Sequence, residues 1–215
     1  MENEPYTEIN RIFWELAITS GKNVPFRHAL THLLDVIGQY FDLLCGRVMW
    51  PEGSEIGGES GIFWSAEPNN PLSNETNLSN NDKLVALINS GQPLIIEDVL
   101  ASEFRDEYLY LSSAGIRGYI ALPIYVDSTL TAIMELFGTQ PIDLTPNQID
   151  LLNQCVTIIG QIIERELVHV RLRESERRFR GLFDNSYQFI ALLETDGKII
   201  DINATALSLF GIELN

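Results

Sequence analysis

Basic residues are scarce: 14 Lys and Arg stand against 30 Asp and Glu, a formal net charge of −16 over 215 residues. Neutralising phosphates takes clustered Lys and Arg, so this balance argues against nucleic acid or an anionic membrane as a partner. No apolar run approaches the roughly 18–20 residues that span a bilayer, and no membrane segment is expected. The N-terminal MENEPYTEIN is acidic where a secretion signal is basic and then apolar, so the expected location is cytoplasmic, and sequons at Asn74, Asn77 and Asn203 carry no meaning. There are only two cysteines, Cys45 and Cys155, both in apolar surroundings that mark them as small buried hydrophobes. No Cys/His cluster has zinc spacing, and no G-x-S-x-G, P-loop or dinucleotide-binding pattern occurs, so no metal site and no catalysis are expected in these residues.

Hydrophobic residues make up 45% of the chain, enough for a packed core with a remainder beyond one domain. Charge divides it. The segment 164–180, ERELVHVRLRESERRFR, holds six Arg and four Glu with no Gly or Pro, and reads as an exposed helix laced with ion pairs. The expected organisation is therefore a domain over 1–163, a charged connecting helix over 164–183 and a second, incomplete unit over 184–215.

Within the first unit, apolar spacing predicts helices over 7–18 and from Val24-Pro25 to Phe41, the latter interrupted late by Gly38. Strands are expected at LLCGRVMW (43–50), GIFWSA (61–66), PLIIED (93–98), RGYIALPIYV (117–126) and LTAIMELFG (130–138), the last two joined by a turn at Asp127–Thr129. The Asn-rich stretch 67–82 reads as a loop, and 83–89 and 103–113 as short helices. A long helix starts at the cap Thr145-Pro146 and runs to about Phe183. Ile149, Leu152, Val156, Ile159, Ile163 and Val170 recur at heptad spacing and form a candidate dimer seam, while Leu151, Cys155, Ile158 and Ile162 are expected to cover the domain's own sheet. This order gives an α+β fold, an antiparallel sheet of about five or six strands with helices on its faces.

The runs GQPLIIEDV, AGIRGYIALPIYVDSTLTAIMELFG and LTPNQIDLLNQCVTIIGQIIERE make residues 8–165 resemble a GAF domain, and RESERRFRGLFDNSYQFIALLETDGKIIDINATALSLFGIE resembles the opening third of a PAS domain. The succession is that of bacterial sensor histidine kinases and diguanylate cyclases, much longer proteins whose catalytic parts are absent here. The resemblance implies a sensory module that binds a small molecule and passes the signal through a helical homodimer, with the first helix and 145–183 at the interface. The cyclic-nucleotide signature of the family is replaced by Thr139-Gln140 and Leu144-x-x-x-Gln148-Ile149. Neither cysteine occupies the bilin-attachment position or precedes a His, which argues against a covalent bilin. His28, His32 and His169 read as surface residues rather than haem ligands. The ligand is therefore unknown.

By the same resemblance the strand faces carrying Tyr119, Ala121, Glu135 and Phe137 look into the family's ligand cavity, with Trp64, Tyr108 and Arg117 around it. Glu135, between Met134 and Leu136, requires either a ligand group or a cation, Arg117 or Arg47. Two alternatives stay open: a ligand-free domain serving as a dimer spacer, and a redox-active enzyme using the cysteines.

Overall fold

The computed structural model describes residues 24–50, 56, 61–67, 91–102 and 109–210. The expected helices at 7–18 and 83–89, the Asn-rich loop beyond Glu67 and the first part of the 103–113 helix lie outside these residues. The described residues divide into two compact units, with the boundary between Leu167 and Val168.

In the first unit α1 (Phe26–Tyr40) leads into β1 (Cys45–Met49), β2 (Gly61–Ser65), β3 (Leu94–Ile96), the short α2 (Leu109–Ser113), β4 (Gly118–Val126), β5 (Thr129–Gly138) and α3 (Pro146–Asp184). The strands form one antiparallel sheet in the order β2-β1-β5-β4-β3. Hairpin β4–β5 closes on Asp127 and Ser128, whose φ values of 49° and 63° both lie in the left-handed region, as a two-residue turn matching the strand twist requires.

Side-chain alternation sorts the sheet into two apolar layers. Ile120, Leu122, Ile124, Ala132, Met134 and Leu136 face α1 and α3 in the larger core, with Leu30, Leu33, Leu34 and Ile37 from α1. Tyr119, Ala121 and Phe137 face the other way, onto Leu94, Ile96, Val99, Leu111 and Ile116.

Helix α3 begins in a capping box. The Thr145 backbone N–H donates to Gln148 Oε1 at 2.9 Å, and the Gln148 N–H donates to Thr145 Oγ1 at 3.4 Å. From there 39 residues run without a break. Leu151, Leu152, Cys155, Ile159, Ile162 and Ile163 are all buried in the larger core. The two apolar stripes expected from spacing are thus one face: at 100° per residue these six positions span an arc of only about 120°, an ordinary amphipathic width. Of the expected dimer seam, Leu152, Ile159 and Ile163 are thus buried within their own domain. Ile149, Val156 and Val170 are half-buried.

The second unit holds the end of α3, the hairpin β6 (Ala191–Leu193) and β7 (Ile199–Ile202), and α4 (Ala204–Phe210). Asn203 ties it together and is fully buried. Its Nδ2 donates to the Phe183 and Gln188 carbonyls, both at 2.9 Å, and its Oδ1 accepts from the Ile190 and Ala206 N–H groups, both at 3.1 Å. Arg180 adds an ion pair to Asp201 at 2.7 Å. The last turn of α3 is thereby fastened to β7 and α4, chiefly by Asn203, whose loss would leave buried backbone groups unpaired.

Candidate functional site

Strand β5 lies between β1 and β4, and the register sets Glu135 opposite both Arg47 and Ala121. Glu135 and Arg47 are 3% and 4% exposed, so the carboxylate stands inside the protein and must be matched there. Arg47 Nε donates to Glu135 Oε2 at 2.7 Å, and the Tyr119 hydroxyl donates to Oε1 at 2.6 Å. The Arg47 guanidinium also stands 5.5 Å from the Phe137 ring centroid, and Phe137 packs tilted on Tyr119 at 5.4 Å. Both carboxylate oxygens thus hold protein partners, within a layer closed by buried apolar side chains.

Of the residues expected around a cavity, the structure brings Tyr119, Ala121, Glu135 and Phe137 to one face. Tyr108 lies outside the described residues. Arg117 is placed elsewhere: its Nε donates to Asp98 Oδ1 at 2.9 Å and its Nη2 to Asp98 Oδ2. That hydrogen-bonded pair holds the Asp98 carboxyl below the ordinary carboxylate value and raises the Arg117 guanidinium. The cation matched to Glu135 is Arg47. Trp64 sits on the opposite side of the sheet, because the β1–β2 register places it beside Gly46, in line with Leu136. Its indole Nε1 donates to Asp35 Oδ1 on α1 at 2.8 Å.

The two cysteines are buried in different layers, Cys45 with Tyr119 and Phe137, Cys155 with α1 and α3. Burial pushes the Cys155 thiol up to about 12, so it carries no nucleophilic thiolate near neutral pH. His28, His32 and His169 are exposed. Among the described residues no group of three or more His, Cys, Asp or Glu could hold a metal ion, and no helix is long and apolar enough to cross a membrane.

One cleft escaped the sequence reading. About 290 Å³ in volume, it lies between the end of α1, the β4–β5 edge and the 140–148 segment, and its lining includes Tyr40, Asp42, Gln140, Asp143 and Gln148. No Lys or Arg borders it while Asp42 and Asp143 do, so its charge disfavours an anion. These residues come from segments about a hundred positions apart and share no motif, which is why spacing does not reveal them.

Comparison with known proteins completes the picture. A family profile for the GAF domain matches residues 25–163, well over half of the chain, and one for the PAS domain matches residues 177–215. The photoproduct state of the GAF3 domain from a Synechocystis protein is similar, with a TM-score of 0.56 at 19% identity, covering 68% of this chain and 98% of that one. The GAF domain of an Acinetobacter phosphoenolpyruvate-protein phosphotransferase gives a TM-score of 0.54 at 13% identity, covering 77% and 95%. At such identities these likenesses show the fold. Among curated proteins, sporulation kinase E of Bacillus subtilis is 32% identical over 60 residues, which is 28% of this chain and 8% of the kinase. The match therefore spans a small part of that relative's length.

Proposed function

The chain belongs to the GAF domain family, and from that premise we propose that it is the sensory and relay segment of a longer bacterial signalling protein, of the two-component histidine kinase kind. The GAF domain binds a small molecule against the Tyr119–Ala121–Glu135–Phe137 face, and α3 carries the resulting change to the PAS segment. Continuity of α3 supports this reading most strongly. A single 39-residue helix is anchored in the GAF core by Leu151 to Ile163 and fastened at its far end through Phe183, Arg180 and Asn203. A continuous helix that leads from one domain into the next is the kind of part whose small displacement biases the next domain. The similarity to a sporulation kinase points the same way. This segment does no chemistry itself, and works in the cytoplasm.

A second reading, a GAF domain that binds nothing and spaces a dimer, is favoured by one observation: both Glu135 oxygens are already engaged by Arg47 and Tyr119. Native mass spectrometry of the chain purified from cells separates the two. The sensory reading expects a mass excess that disappears on denaturation. A native mass equal to a whole number of bare chains would contradict it and leave the spacer.

A further inference from the structure

The cleft beside α1 holds negative charge that the chain itself does not balance. Past the end of α1 the backbone turns on Asp42, whose φ of 52° lies in the left-handed region. The Leu43 N–H reaches back to the Gly38 carbonyl at 2.8 Å, which makes Asp42 the C′ residue of a helix-closing turn, a place that glycine or asparagine normally fills. An aspartate there is disfavoured twice. Left-handed backbone is costly for a residue with a Cβ, and the carboxylate stands at the negative end of the helix dipole, with no basic residue in the last turn of α1. Asp143, from the segment that leads into α3, adds a second negative charge to the lining. Neither Asp42 nor Asp143 makes an ion pair with a described residue. Phe41, Leu43, Ile120 and Ile142 contribute apolar side chains to the same cleft.

We propose that this cleft binds a small organic ammonium ion, held by Asp42 and Asp143 through its N–H groups and by the apolar lining through its carbon body. Charge complementarity selects the cation: a positive group there offsets both carboxylates and the carbonyl end of α1 together. The donor set selects an organic cation over a metal. Two carboxylates fall short of the roughly six to eight oxygens that calcium takes, and among the described residues no group of three or more His, Cys, Asp or Glu could hold a metal ion. Gln148 does not add an acceptor, since its Oε1 already accepts from the Thr145 N–H and hydroxyl, both at 2.9 Å. A volume of about 290 Å³ is at the small end of ligand pockets and suits one ring or a short alkyl chain. Ile120 faces the layer of α1 and α3, so the cleft opens on the side of the sheet away from Tyr119 and Phe137. The site is therefore separate from the face proposed for the sensory ligand, and its test does not depend on that reading. An ion held in it joins the end of α1 to the segment that starts α3.

The test is an amide NMR titration of the full chain with benzylammonium chloride, beside benzyl alcohol and ammonium chloride at matched ionic strength. Benzylammonium is expected to shift the amides of 40–43 and 138–148 to saturation, with a dissociation constant of about 1 mM or lower, and neither control is expected to saturate them. Asp42→Asn and Asp143→Asn should each raise that constant about 10-fold. Glu164→Gln, which removes the same charge from an exposed position on α3, should leave it unchanged. Asp42→Asn is also expected to raise the melting temperature of the ligand-free chain by about 2 °C, because asparagine tolerates the left-handed turn and removes the charge from the helix's negative end. Shifts scattered over the acidic surface without saturation would mean diffuse counter-ion binding and would overturn the proposal. Equal binding of benzyl alcohol or of ammonium, a constant unmoved by either aspartate variant, or an Asp42→Asn chain that melts lower would each overturn it as well.

Discussion

Replacing Glu135 with alanine is expected to lower the free energy of unfolding by about 3–5 kcal/mol, because it removes the carboxylate that matches the buried Arg47 guanidinium. The magnitude follows from the asymmetry of buried pairs: two matched charges roughly offset their desolvation, while a buried charge that loses its counter-ion does not. Tyr119→Phe is expected to cost only about 1 kcal/mol, since the carboxylate keeps Arg47 and loses one hydrogen bond. The double variant Arg47→Met with Glu135→Leu should recover most of the stability, as apolar replacements of similar volume do at such sites. Urea denaturation followed by tryptophan fluorescence measures all three. A Glu135→Ala cost under about 1 kcal/mol would mean that the pair is wetter than its burial indicates, and would return Glu135 to the pool of ligand-facing groups.

Gly38→Ala is the second change with a large expected effect, near 2–3 kcal/mol of destabilisation. A Cβ built on Gly38 would lie 2.0 Å from both Cη2 and Cζ3 of Trp64, far inside any tolerable contact. The indole cannot swing aside cheaply, because Nε1 is bonded to Asp35 one turn back on the same helix. Either the ring leaves its site and forfeits that bond, or α1 moves off β2. The same experiment has a control in Gly181, also helical, where a Cβ would meet nothing within 4 Å. There alanine is expected to be neutral or to stabilise by up to about 1 kcal/mol. A red-shifted Trp64 emission in Gly38→Ala, absent in Gly181→Ala, would identify the displaced ring.

Much of this architecture was legible in local chemistry. Thr145 with Gln148 marks the start of α3, Asp127-Ser128 marks a tight hairpin, and alternation along 119–124 and 132–137 separates the two faces of the sheet. What stayed hidden depends on which strands become neighbours. Glu135 visibly needed a cation, but only the β1–β5 register selects Arg47 over Arg117, which the chain near Asp98 had already claimed. The face taken by Trp64 is not legible in β2, because Ile62, Phe63 and Trp64 are all apolar and alternation there carries no sign. The role of the long helix's apolar positions is hidden in a similar way. Heptad spacing and the face of a core-packed helix coincide over a few turns, and only burial tells Leu152 and Ile159 apart from Leu172 and Phe179.

Relay through α3 requires the helix to run unbroken from Pro146 to Asp184. Amide hydrogen exchange along the full chain tests it most directly. The account predicts protection that continues without a gap from about residue 150 to Asp184. Protection that stops near Leu167, with 168–182 exchanging as an unfolded chain, would break the helix where the relay needs it whole.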